Sequence, residues 1–341
     1  MHDWSCVIHC HSTYSDGTGT VPQIARAAER AGVDAVLLTD HDSLEAKHRA
    51  EEGWHGSVLV CVGLEVSPRR RDHYLAFGLD REIEDPDSLN PAQIVAAVTA
   101  AGGFGFAAHP FSKGSEVFKR ARTGMPWGDL DCDGLAGLEV WSLITDVAEG
   151  LPRRRDALRF IATPARAIER PPERNLAEWD RLGRRRRVVG IGGVDAHQFG
   201  VRIAGRVPLR LMGYHRSFAH LHTHVLADGP PTGDGARDRD AVYAALRAGR
   251  CYLAVDSFAP ARGFAFEGMG EEVEAGRREL HVRTPQPADL TLLHEGEPIA
   301  RAHGTELQYP VEEPGIYRVE ATLHAHGRDR TWILSNPIYL R

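Results

Sequence analysis

Histidine and acidic residues stand at the ends of apolar runs throughout the first two thirds of the chain. The run CVIHC (6–10) contains His9 and is followed by His11, and the run VVGIGGV (188–194) is followed by Asp195 and His197. Residues i and i+2 of a strand point to the same side, so each pair can converge on one centre. Further strand ends carry Asp40, His41, Asp42, Glu65, His73, His109 and Glu139. Buried ionisable groups are costly unless paired, so a cluster of this composition predicts bound divalent cations.

The elements that must position these side chains alternate between apolar strands and amphipathic helices. The stretch VPQIARAAERAG (21–32) is typical of a helix, with Pro22 in its first turn and Gly32 at its end. It lies between two strand-like runs, CVIHC and DAVLLTD (34–40). This alternation predicts βαβ units and a parallel sheet, and its repetition favours a closed or distorted barrel. The carboxyl ends of barrel strands form one face, where ligands scattered in the sequence would meet.

The pattern changes after the helix-like stretch DRDAVYAALRAGR (238–250). Short runs with period-two alternation follow, separated by turn signals, as in an all-β sandwich. We therefore predict a barrel domain over residues 1–256 and a C-terminal β-sandwich domain over 257–341. Two long segments without clear periodicity, about 110–133 and 199–234, are expected to be insertions in the barrel.

Charge and cysteine content narrow the class of protein. The 341 residues carry a formal net charge of −6, which gives no general attraction for nucleic acid. The five cysteines form no CxxC pair or paired framework, which favours a reducing compartment. Neither a signal-peptide pattern nor a long apolar run typical of a membrane span is present, so we expect a cytoplasmic protein without a membrane partner.

Four short motifs resemble those of the polymerase and histidinol phosphatase (PHP) family, in the same order. They are HCHSTYSDG (9–17), TDH (39–41), AHP (108–110) and DAH (195–197), and Glu65 and Glu139 match intervening acidic positions. The resemblance covers roughly residues 5–255 and implies a distorted (β/α)7 TIM-like barrel holding two or three divalent ions, Mn, Zn or Fe. The stretches ALRAGRCYLAVDS (245–257) and WILSNPIYL (332–340) look like the stand-alone branch of metallohydrolases related to carbaryl hydrolase.

The resemblance also implies roles for individual residues. One metal would be bound by His9, His11, Glu65 and Asp195, with Glu65 bridging to a second. The second metal would also be held by His109 and Glu139, and a third by Asp16, His41 and His197. Many relatives have a histidine or cysteine where this chain has Glu139. His73, Asp40 and Asp42 are expected to be further ligands or to orient the imidazoles by accepting their ring N–H groups.

A multimetal site of this kind can supply hydroxide at neutral pH and stabilise charge on a phosphoryl group. We therefore predict a metal-dependent phosphoesterase acting on a small phosphomonoester or phosphodiester, with Asp195, His197 and His41 as catalytic candidates. The alternatives are a carbamate or carboxylester hydrolase using the same site, and a 5′-nuclease or oligonucleotide phosphatase. Arg202 and Lys113, in the two insertions, are the candidates for binding the substrate, which is expected to be a small phosphorylated ester.

Overall fold

The computed structural model describes residues 1–117, 124–198, 200–203, 206–210 and 212–341, with the backbone alone for 200–203 and 206–210. In chain order, the elements up to the predicted boundary are His2–Cys10 (β1), Val21–Ala31 (α1), Ala35–His41 (β2), Glu45–His48 (α2), Gly53–His55 (β3), Val58–Val66 (β4), Tyr74–Phe77 (β5), Pro91–Ala100 (α3), Phe104–Ala107 (β6), Gly137–Ser142 (β7), Leu143–Gly150 (α4), Arg154–Ala162 (α5), Glu173–Gly183 (α6), Val189–Gly193 (β8), Gly200–Ile203 (β9), Arg206–Arg210 (β10), Tyr214–Phe218 (α7), Leu221–Ala227 (β11), Gly235–Arg247 (α8) and Cys251–Val255 (β12). The strands that follow are Ala265–Phe266 (β13), Glu272–Val273 (β14), Arg278–His294 (β15), Glu297–Val311 (β16), Gly315–Ala325 (β17), Arg328–Ser335 (β18) and Ile338–Leu340 (β19).

The first half of the chain forms a mixed α/β structure around a strongly buried sheet. Strand β1 pairs in parallel with β2, β2 with β4, β6 with β7, and β7 with β8. The residues just after β8 return to β1, where the amides of Val194 and Ala196 donate to the carbonyls of Ile8 and His9 at 2.9 and 3.2 Å. The amide of His11 completes this contact by donating to the Ala196 carbonyl at 2.9 Å. These hydrogen bonds bring the ends of β1 and β8, which carry four of the predicted ligands, side by side.

Local sequence signals explain where the helices begin and end. At the start of α1, the side chain of Gln23 accepts a hydrogen bond from the Thr20 amide at 3.2 Å. The helix ends at Gly32, whose φ of +74° is a left-handed conformation that glycine adopts without penalty. Asn90 caps the start of α3, because its side chain accepts from the Gln93 amide. The helix predicted at 21–32 therefore forms with nearly the expected bounds.

Two parts of the sheet differ from the expectation of parallel βαβ units. Strand β5 is antiparallel to both of its neighbours, β4 and β6. The segment 199–234, expected to be an irregular insertion, contains β9, β10, α7 and β11, and β11 pairs antiparallel with β1 and β12. In the stretch HLHTHVLA (220–227), histidines stand at alternate positions, and all three are buried.

The C-terminal region is rich in antiparallel strands. Strand β15 pairs with both β16 and β17, and β17 pairs with β18 and β19. Buried residues from Tyr252 to Leu340 form a hydrophobic cluster of their own, which includes Trp332 and Tyr317. Strand β12 joins the two parts of the molecule, since it pairs with β11 on one side and β18 on the other. Among the residues that the model describes, no helix is long and apolar enough to cross a membrane.

Candidate metal centre

Candidate ligands from six strand ends converge on one face of the sheet. Their side chains form four overlapping groups, and within each group the ligand atoms lie within 4.8 Å of one another. The groups are His11, Asp16, His41 and His197; His9, Glu65 and His109; His9, His11 and Asp195; and His41, Glu65 and His73. We call this set the Glu65 cluster.

The buried carboxylate of Glu65 lies at the centre of the cluster. Its Oε2 atom is 3.3 Å from Nε2 of His9 and 3.4 Å from Nε2 of His11. Its Oε1 atom is 2.7 Å from Nδ1 of His73 and 3.4 Å from Nε2 of His109. Burial alone would raise the pKa of this carboxyl group, but the surrounding imidazoles of His73, His9 and His41 lower it well below its usual range. Glu65 is therefore an anion that faces imidazole nitrogens on both sides.

A second carboxylate, that of Asp195, lies against the same histidines. Its Oδ1 atom is 3.6 Å from Nε2 of both His9 and His11, and 3.4 Å from Nδ1 of His197. Its Oδ2 atom accepts a hydrogen bond of 2.5 Å from the hydroxyl of Thr145. The two oxygens thus have different partners, and Oδ1 faces the histidines.

Asp16 lies where the cluster opens to solvent, because 59% of its side chain is exposed. Its Oδ1 atom is 3.2 Å from Nε2 of His197 and 3.7 Å from Nε2 of His41. Burial of its inner part raises the pKa of Asp16, but the neighbouring His197, His11 and His41 outweigh this effect and lower it to about 2. The predicted third-metal residues therefore do meet at one point.

The buried ring nitrogens of the cluster fit a bound divalent ion. Within the described residues, neither ring nitrogen of His11 nor Nδ1 of His109 has a hydrogen-bond partner. Burial, together with His197 and His41, lowers the pKa of His11 to about 3, so that its ring is neutral and carries a free lone pair. Neighbouring donor atoms around a Zn²⁺ or Mg²⁺-sized ion lie about 3.0–3.4 Å apart. The separations of 3.2–3.4 Å around Glu65 Oε2 match that spacing.

Backbone strain is concentrated in the same residues. His9, His109 and Asp195 have positive φ angles of 67°, 28° and 55°, a region that non-glycine residues rarely occupy. The pairing of β1 with β2 is irregular between Ile8 and Cys10, which places a bulge at His9. Strain of about 1–3 kcal/mol per residue persists only where the surroundings enforce it, and it is common at functional sites. His9 and His11 therefore converge through a bulge at the end of β1, where regular strand alternation was expected.

Glu139 occupies a different position from the other predicted ligands. It falls in none of the four groups; its Oε1 is 3.0 Å from Nδ1 of His9, and its Oε2 accepts from the His109 amide at 2.7 Å. A Cβ atom added at Gly193 would lie 1.8 Å from Glu139 Oε1, so the glycine leaves the space that this carboxylate fills. Glu139 thus contacts the far side of the His9 ring.

The predicted supporting residues divide into one that joins the cluster and two that do not. His73 contacts Glu65 directly and belongs to a metal-competent group. Asp40 instead accepts from the amide and hydroxyl of Ser12 at 2.7 and 2.6 Å and from the hydroxyl of Ser15 at 2.6 Å. Asp42 accepts from the Ser67 amide at 2.8 Å. These two aspartates therefore accept from serine hydroxyls and backbone amides, and their orienting of imidazole rings stays a prediction.

Of the two predicted substrate-binding residues, Lys113 is the one whose side chain lies within the described part of the chain. The Lys113 side chain is exposed, and its amide donates to Glu149, which also accepts from Ser112 and Gly114. The side chain of Arg202 lies outside the described residues.

Three hydroxyl groups were missed by sequence reasoning. Besides Thr145, the hydroxyl of Ser67 lies 2.7 Å from Nδ1 of His41 and donates to the Glu65 carbonyl. The hydroxyl of Tyr214 donates to the His11 carbonyl at 2.7 Å and accepts from the amides of Thr18 and Gly19 at 3.2 Å. Hydroxyl residues are too common for their positions to have indicated these roles.

Comparison with known proteins agrees with the motif resemblance. Residues 8–114 match the family model described as the PHP domain. A phosphoribosyl 1,2-cyclic phosphate 1,2-diphosphodiesterase of Eggerthella lenta is 35% identical over 79 residues, which are 21% of this chain and 30% of that protein. An error-prone DNA polymerase of Mycobacterium tuberculosis is 28% identical over 164 residues, which are 47% of this chain and 14% of the polymerase. The chain thus spans less than a third of either relative.

The solved structures that resemble the model include a two-domain protein of Bacteroides vulgatus, described as containing a predicted PHP-like metal-dependent phosphoesterase. The match covers 98% of this chain and 95% of that protein, at 16% identity and a TM-score of 0.46. A second match is to a putative metal-dependent phosphoesterase of Bifidobacterium adolescentis. It covers 60% of this chain and 91% of that protein, at 21% identity and a TM-score of 0.36.

Proposed function

We propose that this chain is a metal-dependent phosphoesterase that hydrolyses a small phosphomonoester or phosphodiester. The observation that carries the proposal is the meeting of Glu65 and Asp195 with lone-pair nitrogens of buried histidines, at separations that suit divalent ions. The PHP-domain match and a relative named as a diphosphodiesterase support the same chemistry.

The ligands would be shared among two or three ions, Mn, Zn or Fe. His9, His11, Glu65 and Asp195 would hold one ion, Glu65, His109 and Glu139 a second, and Asp16, His41 and His197 a third. The contact between Glu139 and Nδ1 of His9 suggests that this carboxylate orients His9 as well, since a ligating histidine commonly donates its other ring N–H to a carboxylate.

When bound, the ions would polarise the phosphoryl oxygens and lower the pKa of coordinated water. The chain itself would supply the proton for the leaving group. Where only two ions are bound and His41 and His197 are not metal ligands, either is suited to this, because 28% and 12% of their side chains are exposed beside Asp16, at the mouth of the cluster. Asp195 would keep Oδ1 towards the ions while Thr145 holds Oδ2.

The same proposal includes the architecture that positions the site. We propose a distorted (β/α)7 barrel over 1–256 and a β-sandwich over 257–341. The hydrogen bonds from the end of β8 back to β1 support closure, and the separate hydrophobic cluster of the C-terminal strands supports an independent core.

The proposal is tested by measuring hydrolysis of p-nitrophenyl phosphate, bis-p-nitrophenyl phosphate, a naphthyl carbamate and a short 5′-phosphorylated oligonucleotide under identical conditions. The protein is purified without chelators and supplied with Mn²⁺ or Zn²⁺. Faster hydrolysis of either nitrophenyl phosphate supports the proposal. Turnover of the carbamate alone, or of the oligonucleotide alone, would replace it with the corresponding hydrolase.

Replacing His9 or Asp195 by alanine should abolish turnover and lower the metal content while the chain stays folded. Each change removes a donor atom that faces the centre of the cluster and leaves the hydrophobic core intact. Metal content by atomic emission and folding by circular dichroism are measured on the same samples. Full activity at unchanged metal content in either variant would contradict the assignment.

A further inference from the structure

A second group of histidines and carboxylates lies where β1, β11 and the segment after β12 meet. His222 and His224 are on β11, and Asp256 directly follows β12. Their donor atoms lie within 4.8 Å of one another, and both histidines are buried. Ser5 of β1, four residues before His9, completes the group with a hydroxyl 3.0 Å from Nδ1 of His222. This group shares no residue with the Glu65 cluster.

The outer nitrogen of each ring is already occupied by an acceptor. Nε2 of His222 donates to the Phe218 carbonyl at 2.5 Å, and Nδ1 of His224 donates to Oδ1 of Asp3 at 2.7 Å. In its neutral form an imidazole has a single N–H, so with these outer N–H groups kept, the inner nitrogen of each ring could offer a lone pair to an ion. Histidines that bind metals are typically held in this way, with the second ring nitrogen fixed by a carbonyl or carboxylate.

The two inner nitrogens converge on a single oxygen. Oδ2 of Asp256 is 2.6 Å from Nδ1 of His222 and 2.9 Å from Nε2 of His224. These are hydrogen-bond distances, so protons join the donor atoms in the absence of an ion, and a divalent cation would replace those protons. The other carboxylate oxygen of Asp256 accepts from the Ala261 amide at 2.8 Å, which fixes the direction in which Oδ2 points.

We propose that His222, His224 and Asp256 form a separate divalent-metal site, of the kind that Zn²⁺ occupies, with Ser5 or water as a fourth ligand. Two imidazoles and one carboxylate are a common donor set for zinc. The charges also balance, because Asp256 and Asp3 together neutralise a doubly charged ion. The ion would connect β11 to the chain that leads into the C-terminal strands, so its role is structural.

Binding requires a small adjustment of one side chain. Bonds of about 2.0–2.1 Å in a tetrahedral site place the ligand atoms about 3.3 Å apart. The present separations of 2.6 and 2.9 Å are those of hydrogen bonds, so Asp256 must withdraw by a few tenths of an ångström. Asp256 follows the end of its strand, and 18% of its side chain is exposed, which provides both the freedom and an entry path.

The first test counts ions in chelator-stripped protein that is reloaded with Zn²⁺. Asp256→Asn keeps the shape of the side chain but removes its charge, and it should lose one equivalent of metal while p-nitrophenyl phosphate hydrolysis stays within about twofold. The matched control is Asp329→Asn, because Asp329 pairs with His324 on the exposed surface at 2.9 Å and should not change the metal count. An unchanged count and affinity in Asp256→Asn would overturn the proposal.

The second test does not depend on Asp256→Asn folding. A variant with His11→Ala and Asp195→Ala removes shared ligands of the Glu65 cluster and is titrated with Co²⁺. We expect visible absorption of four-coordinate Co²⁺ at about one equivalent, and a higher melting temperature with Zn²⁺ than without it. A folded variant that shows neither change would mean that protons alone hold this group together, and the proposal would be wrong.

Discussion

The orientation of the Asp195 carboxylate depends on the hydroxyl of Thr145. The hydroxyl donates to Oδ2, and Oδ1 is left facing His9, His11 and His197. Thr145 lies in the first turn of α4, which begins immediately after β7, so the packing of that helix sets the direction of a candidate ligand. Residues that touch only a ligand can therefore control the geometry of the cluster.

We expect Thr145→Val to lower metal affinity or kcat/KM about 10- to 100-fold, the usual cost of losing a hydrogen bond to a ligand. Valine has nearly the same shape, so the fold should be kept. Thr145→Ser retains the hydroxyl and serves as the control. Metal titration and steady-state kinetics on all three proteins provide the measurement, and equal values for valine and serine would show that the hydrogen bond has no such role.

At the scale of elements, strand β8 has no room for a side chain where Gly193 lies against Glu139. A Cβ atom at Gly193 would overlap Oε1 of Glu139, whereas one at Gly192 would meet only the side chains of Leu221 and Leu253 at 3.2–3.3 Å. Gly193→Ala should therefore displace Glu139 from His9 and the His109 amide, with at least a tenfold loss of activity. Gly192→Ala, one residue earlier, should be much milder. Kinetics and metal content compare the two, and similar losses in both variants would contradict this explanation.

Helix α7 supports the loop that carries Asp16. The Tyr214 hydroxyl accepts from two amides of this loop and donates to the His11 carbonyl. Tyr214→Phe keeps the buried ring but removes the hydroxyl that the Gly19 amide and the His11 carbonyl contact, so affinity for the ion near Asp16 should fall about tenfold. The affinities are resolved by titration with Mn²⁺, and Phe218→Leu, in the same helix, controls for altered packing. Identical titrations of wild type and Tyr214→Phe would contradict the prediction.

The sequence predicted which strand ends carry the cluster but not how each side chain reaches it. The pattern of His9, His11, Glu65 and Asp195 was informative because ionisable residues rarely end so many buried strands. The bulge at His9 and the contact of Glu139 with the far side of that ring arise from tertiary packing, which leaves no local signal. Strand β5 is short, and its direction is set by pairing with its neighbours, so sequence periodicity could not show that it is antiparallel.

At the scale of the whole molecule, local sequence patterns likewise predicted the type of element but not the contacts between distant parts of the chain. The change from helical to alternating patterns near residue 257 anticipated the β-rich C-terminal region. The pairing of β12 with β18 and the ion pairs between the two parts join residues far apart in sequence, so no local pattern could reveal them.

One of these long-range contacts is a buried ion pair between Asp180 on α6 and Arg318 on β17. The guanidinium donates to both oxygens of Asp180 at 2.7 and 2.8 Å and also to Glu320 at 2.7 Å, and 3% and 7% of the Arg318 and Asp180 side chains are exposed. Of the two carboxylates that accept from Arg318, Asp180→Ala would remove one and leave Glu320. The buried cation would then be poorly compensated, so the free energy of unfolding should fall by about 3 kcal/mol or more. Asp131→Ala removes exposed pairs with Arg181 and Arg185 and should cost less than about 1 kcal/mol. Denaturant unfolding of the metal-loaded proteins measures both changes. Equal, small losses in the two variants would mean that the C-terminal strands are held to α6 by apolar packing without help from this pair.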